Sequence, residues 1–264
     1  MSPTEELSAV KKILLRILIL IPLLILPRNG PAQSATTSLY QQANEAYQDG
    51  DYLEAIRLYQ QILESELIDG AVLYNLGNAY FKDNQLGRAI LSYERAKRLL
   101  PRDQDVAANL ALANQLTVDK ITTEKTPLFI RVFTWPARAV NISELTWISF
   151  SLYLITTALV VAGIWVRKGI RKKILVTSLI AGLLLLLAGV SLGGKIYQQR
   201  SVPKAIVLTP IVDARSGPGH EYTKIFTVHE GTKVRIRQER EGWYLISLPN
   251  GLGGWISEDS AEII

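Results

Sequence analysis

Residues 70–101 read GAVLYNLGNAYFKDNQLGRAILSYERAKRLLP, and 34 positions earlier residues 36–67 read TTSLYQQANEAYQDGDYLEAIRLYQQILESEL. In register, Leu39 falls on Leu73, Asn44 on Asn78, Ala55 on Ala89, Ile56 on Ile90 and Tyr59 on Tyr93. A fixed period of this length marks one helical unit copied and stacked, so that neighbouring copies bury faces neither could bury alone. Gly50-Asp51 and Asp83-Asn84 supply the turn chemistry between two helices in each copy. Pro101 stops the last of these. A further helix is predicted from Asp103 to Leu116, with Val106, Leu110 and Ala113 on one stripe, capping the open end of the stack.

Leu73, Leu76, Gly77, Tyr80, Ala89, Tyr93, Ala96 and Pro101 together resemble the tetratricopeptide-repeat signature. The first copy departs from it, with Ala43 where glycine is usual and Ile62 where alanine is usual. Small residues at Gly77 and Ala89 imply a close helix crossing, with Tyr80 and Tyr93 filling the space between hairpins. The resemblance implies a concave face that binds extended peptides. That face would carry Tyr40, Asn44 and Tyr47 from the first copy and Tyr74, Asn78 and Phe81 from the second. The asparagines would bond a ligand backbone and neither is expected in the core; the plainer alternative is that all six are ordinary surface and inter-repeat residues. Two repeats are fewer than the three usually needed for stability, which hints at self-association or a partner.

Apolar residues otherwise concentrate in three blocks. Lys11, Lys12 and Arg16 precede the short run Ile17 to Pro27, followed by the small residues Gly30, Ala32 and Ser34. This reads as a secretory signal peptide, or an uncleaved anchor if Ile13 to Leu15 join the span. Leu145 to Val166 and Ile174 to Gly194 carry no charge, and each suffices to cross a hydrocarbon core as a helix. Between them lie Arg167, Lys168, Arg171, Lys172 and Lys173 with no acidic residue, predicting a basic loop on the cytoplasmic side. Pro127 to Ile142, with Phe129, Phe133 and Trp135, reads either as an interfacial amphipathic stretch or as a plain linker.

From Pro203 onward the pattern turns to short strands. Val234 and Ile236 alternate with Arg235 and Arg237, and Pro249-Asn250-Gly251 reads as a hairpin turn. The segments Arg215-Ser216-Gly217-Pro218-Gly219, Glu230-Gly231-Thr232, Gly242-Trp243-Tyr244 and Gly254-Trp255-Ile256 resemble the bacterial SH3 family. Its groove would fall at Trp243 and Tyr244, with Trp255 in the core. His220 and His229 read as solvated surface residues.

The expected fold class is therefore multidomain: an α-helical repeat module, a transmembrane helical hairpin and a small all-β SH3-like barrel. The expected boundaries are a signal or anchor at 1–34, repeats with a capping helix at 35–118, a linker at 119–144, the hairpin at 145–194 and the barrel at 203–264. With no cysteine and two histidines, thiolate chemistry is excluded and little material remains for histidine catalysis or a metal site. No cofactor or nucleic-acid partner is expected, since the net charge of +5 is accounted for at the membrane flanks. As an architecture the chain resembles the BatE-type proteins of the Bacteroides-aerotolerance (Bat) operons, which sit beside von Willebrand-type membrane proteins and a MoxR-type ATPase. The resemblance implies a non-enzymatic scaffold in the inner membrane, with repeats and barrel on the exported side and other envelope proteins as partners. The alternative is a cell-wall receptor that grips peptidoglycan and recruits a synthase or hydrolase.

Overall fold

The computed structural model describes residues 31–64, 69–120, 139–201 and 203–264. The expected signal segment falls almost wholly outside them, as does most of the Pro127–Ile142 stretch. The first helix already begins at Pro31.

Five helices form the repeats: α1 (Pro31–Gln48), α2 (Tyr52–Glu64), α3 (Gly70–Lys82), α4 (Leu86–Leu99) and α5 (Gln104–Leu116). The period survives in atomic detail. Asp51 N donates to Ala46 O and Gln85 N to Tyr80 O, each at 2.9 Å and 34 residues apart. Gly50 and Asn84 turn the chain with φ of 83° and 60°, a left-handed region that glycine and asparagine tolerate best. Gly77 marks the crossing of α3 and α4, since a Cβ there would stand 2.6 Å from the Tyr93 ring. The predicted capping helix is α5, started by Asp103, whose carboxylate accepts from the Asp105 and Val106 N–H groups.

The hairpin consists of α6 (Ile142–Trp165) and α7 (Lys168–Ser201), both long and apolar enough to cross a membrane. They pack along each other, and their outward faces are apolar, with Leu179 and Val190 74% and 67% exposed. The basic cluster does not form a loop. Only Val166 and Arg167 separate the helices, and Lys168, Arg171, Lys172 and Lys173 lie in the opening turns of α7. The opposite end of the hairpin is tied to the repeats. Asn141 caps α6 with Glu144 in a reciprocal box, the Asn141 amide donates to Leu99 O at 3.0 Å, and Arg102 pairs with Glu144.

The barrel has seven antiparallel strands: β1 (Lys204–Val207), β2 (Ile211–Arg215), β3 (Lys224–His229), β4 (Lys233–Arg240), β5 (Trp243–Ser247), β6 (Gly253–Ser257) and β7 (Ala261–Ile263), in the order β3-β2-β6-β5-β4-β1-β7. The tight two-residue hairpin lies at Glu241-Gly242, both at positive φ. Glu239 and Arg240 belong to β4. Pro249-Asn250-Gly251 sits in a longer turn in which only Gly251 has positive φ.

One arrangement was not expected from the sequence. The barrel is docked on α4, and the repeat core continues into it: Ile206 of β1, fully buried, and Ile264 pack in the same apolar cluster as Ile56, Tyr59, Ile90 and Tyr93. The short repeat array is thus extended by another part of the same chain.

Candidate functional site

Three regions bear on function: the asparagine row of the repeats, the junction with the barrel, and a pocket on the barrel.

In the row, Asn44 of α1 accepts from the Tyr59 hydroxyl of α2 at 2.6 Å and from the Asn75 amide of α3 at 3.2 Å. Asn75 also donates to the Tyr40 hydroxyl at 2.9 Å. The same constellation recurs 34 residues on. Asn78 accepts from Tyr93 at 2.8 Å and from Asn109 of α5 at 2.9 Å, and Asn109 donates to the Tyr74 hydroxyl at 3.0 Å. Burial raises the Tyr59 phenol to about 12, helped by Tyr40, and raises the Tyr93 phenol as well, so both hydroxyls stay protonated and donate. Each asparagine therefore bonds three helices together. Asn44 and Asn78 are half-buried and structural, where the sequence reading kept them clear of the core. Tyr40, Tyr47, Tyr74 and Phe81 are half-buried on the same helices. Tyr47 packs against Tyr52 at 5.5 Å between ring centres. Asn75 and Asn109 were not singled out from sequence; their 34-residue spacing was the signal that could have found them.

At the junction, Gly87 in the first turn of α4 touches the barrel. Its N–H donates to the Glu230 carboxylate at 2.6 Å, at a helix start where Gln85 offers no side-chain cap. An anion at this position also meets the positive end of the helix dipole. Further along α4, Lys233 pairs with Glu94 at 2.7 Å, Arg95 with Glu262 at 2.7 Å, and Arg98 donates to Ile264 O at 2.6 Å. Pairs of this partly exposed kind are worth roughly 0.2–1 kcal/mol each. Burying an isoleucine such as Ile206 is worth about 1.5–3 kcal/mol, so apolar contact holds the barrel and the ion pairs set its register.

Asp119, just beyond α5, completes the junction. Its carboxylate accepts from His229 N at 2.8 Å and from the Thr232 hydroxyl at 2.6 Å, and meets His229 Nδ1 at 2.9 Å. His229, read from sequence as a surface residue, is thereby held in the junction. Burial pushes the Asp119 carboxyl up, but the hydrogen bonds from Thr232 and His229 outweigh it and hold the group below its usual range. A depressed carboxyl contributes stability that is complete above the ordinary aspartate value of about 3.9 and is lost as pH falls below it. Acid titration followed by tryptophan fluorescence should show docking weaken further as pH falls below that value. Asp119→Asn should weaken docking at neutral pH and flatten this acid limb; an acid midpoint shared by both proteins would refute the assignment.

The barrel pocket measures about 270 Å³ and is bordered by Ile211, Asp213, Arg215, His220, Trp243, Ser257 and Ser260. Trp243 forms one wall with the His220 ring edge-on to it, centres 5.0 Å apart. Tyr244 does not reach the groove. It is 6% exposed in the barrel core and its hydroxyl donates to Glu258 at 3.0 Å, because strand alternation sends it to the opposite face from Trp243. Trp255 is half-buried rather than in the core. Among the described residues, no group of three His, Asp or Glu side chains stands where it could hold a metal ion.

Residues 40–104 match the tetratricopeptide-repeat family and residues 212–262 match the bacterial SH3 domain family. The chain combines these two modules. No curated protein matches it. Both families typically supply binding modules rather than catalytic ones, and together they point to protein partners, with peptidoglycan as a further ligand class for the barrel.

Proposed function

We propose that this protein is a non-enzymatic, membrane-anchored scaffold of the bacterial envelope, of the BatE-like kind. Its repeats would assemble other envelope proteins, von Willebrand-type membrane proteins and a MoxR-type ATPase system among the candidates. The barrel would serve as a second binding module. The observation that carries this reading is the docking of barrel on α4 together with the tie of Asn141 and Arg102 to one end of the apolar hairpin. The hydrogen bonds of the asparagine row on α1, α3 and α5 all stay within the repeats. The basic residues opening α7 favour a cytoplasmic position for that end of the hairpin and an exported position for repeats and barrel. The Trp243 pocket supports the second reading, a cell-wall receptor.

The absence of native cysteine makes the topology directly testable. Cysteine introduced at Asn84 or Asn250 should react with a membrane-impermeant thiol reagent once the outer barrier is open, while cysteine at Gly169 should stay protected until the inner membrane is lysed. The reverse pattern would overturn the orientation. A photocrosslinker at Leu112, 49% exposed and one repeat on from Asn78, should capture an envelope protein in native membranes. Capture only from a probe at the barrel pocket, of wall fragments rather than protein, would favour the receptor.

A further inference from the structure

The barrel pocket is bordered by a cation, Arg215. Arg215 ends β2, where the pairing with β3 shifts register between Ala214 and Arg215. Such a bulge re-aims the side chain that follows it. One guanidinium nitrogen, Nη1, donates both to His220 O at 2.9 Å and to Tyr222 O at 2.8 Å. These carbonyls belong to the 216–223 loop, which is closed by Ser216 N donating to Thr223 O at 2.9 Å and crowded by Gly217, where a Cβ would meet the Tyr222 ring at 2.5 Å. The head group is therefore held in place from one corner. Nε and Nη2, the side-on edge of the fork, carry no protein bond among the described residues. Asp213, on the same strand and the same pocket wall, acts on Arg215 only through space; its bonds go to Lys224 at 2.7 Å and to the Thr227 hydroxyl at 3.4 Å.

A fixed guanidinium edge is the donor geometry that a carboxylate matches with two parallel hydrogen bonds. Beside it stands the Trp243 ring, braced by His220, which offers an apolar face to whatever carries the charge. The volume of about 270 Å³ lies just below the usual range of ligand pockets, roughly 300–1,000 Å³, and suits one or two amino-acid residues rather than a long chain. We propose that the pocket between Arg215, His220 and Trp243 binds the terminal carboxylate of a short peptide, with Nε and Nη2 of Arg215 gripping the carboxylate and Trp243 covering the side chain of the last residue. The inference rests on the barrel being a binding module and names the chemistry it recognises.

The test uses the full chain in detergent with isotope-labelled tryptophan, so that the Trp243 indole is read separately from the other four tryptophans. The probes are N-acetyl-dialanine as the free acid and as its C-terminal amide, each in the L,L and D,D forms. The acid should shift the Trp243 signal and bind at least about tenfold more tightly than the amide, the difference that charge-assisted hydrogen bonds confer. Preference for the D,D acid would assign the ligand to wall stem peptides, and preference for the L,L acid to protein ends. Arg215→Lys keeps the charge but loses the fork, and should remove the acid-over-amide preference; in a second sample with isotope-labelled histidine, the position of the His220 signal reports whether the loop has kept its shape. Equal binding of acid and amide would overturn the carboxylate proposal while leaving the barrel a binding module. No shift with any probe would overturn it as well.

Discussion

Gly87→Leu is expected to uncouple the barrel from the repeats. A Cβ at Gly87 would stand 2.8 Å from the Val207 carbonyl oxygen and 2.8 Å from Glu230 Cγ. The glutamate can swing aside, but the strand backbone cannot, so the barrel itself must move. Overpacking of this kind typically costs about 1–3 kcal/mol. The lost contact between Glu230 and the start of α4 adds roughly 0.3–1 kcal/mol. Nothing in the barrel's own core changes, because Gly87 lies outside it. Calorimetry of the full chain in detergent should show repeats and barrel melting together in the wild type. In the variant the repeats should melt earlier, leaving a separate barrel transition. One unchanged transition would show that the docked barrel does not support the array.

Asn44→Ala and Asn78→Ala are expected to destabilise the repeats, each by about 1–3 kcal/mol. Each change removes the acceptor of a tyrosine hydroxyl whose residue is 1% exposed, Tyr59 in one case and Tyr93 in the other. Leaving such a donor unpaired costs the full desolvation of the group. The two clusters share no side chain in their bonds, so the double variant should show roughly the sum. The thermal midpoint of the helical circular-dichroism signal measures this. A double variant as stable as the wild type would return the asparagines to a purely ligand-facing role. A binding test on the row therefore needs positions outside the network, Leu112 among them.

The 34-residue identities predicted the helices, their turns and the close crossing at Gly77, because a repeat writes the same local chemistry twice. Asn44 and Asn78 were found by that same recurrence, but their task was not. A recurring polar residue looks identical in sequence whether it faces a ligand or a neighbouring helix, and the partners Tyr59 and Asn75 lie 15 and 31 residues away. Tyr244 and Trp243 are adjacent, and only the pleat of β5 decides which of them meets the pocket. His229 reads as a strand end until Asp119, 110 residues earlier, is brought against it.

By itself, then, the sequence determined the modules: a period that makes stacked helices, uncharged runs that make long apolar helices, and turn glycines that make a small barrel. These depend on contacts near in the chain or on composition, and each leaves a local pattern. The tertiary structure alone decided that repeats and barrel share a core through Ile206, and that Glu230 caps α4 in place of Gln85. It alone brought Arg215 to a pocket wall with Nε and Nη2 unbonded among the described residues. These arrangements join residues more than a hundred positions apart, or turn on a single β-bulge. The surfaces involved are small and mixed in polarity, so each side alone looks like ordinary protein exterior until the other is laid against it.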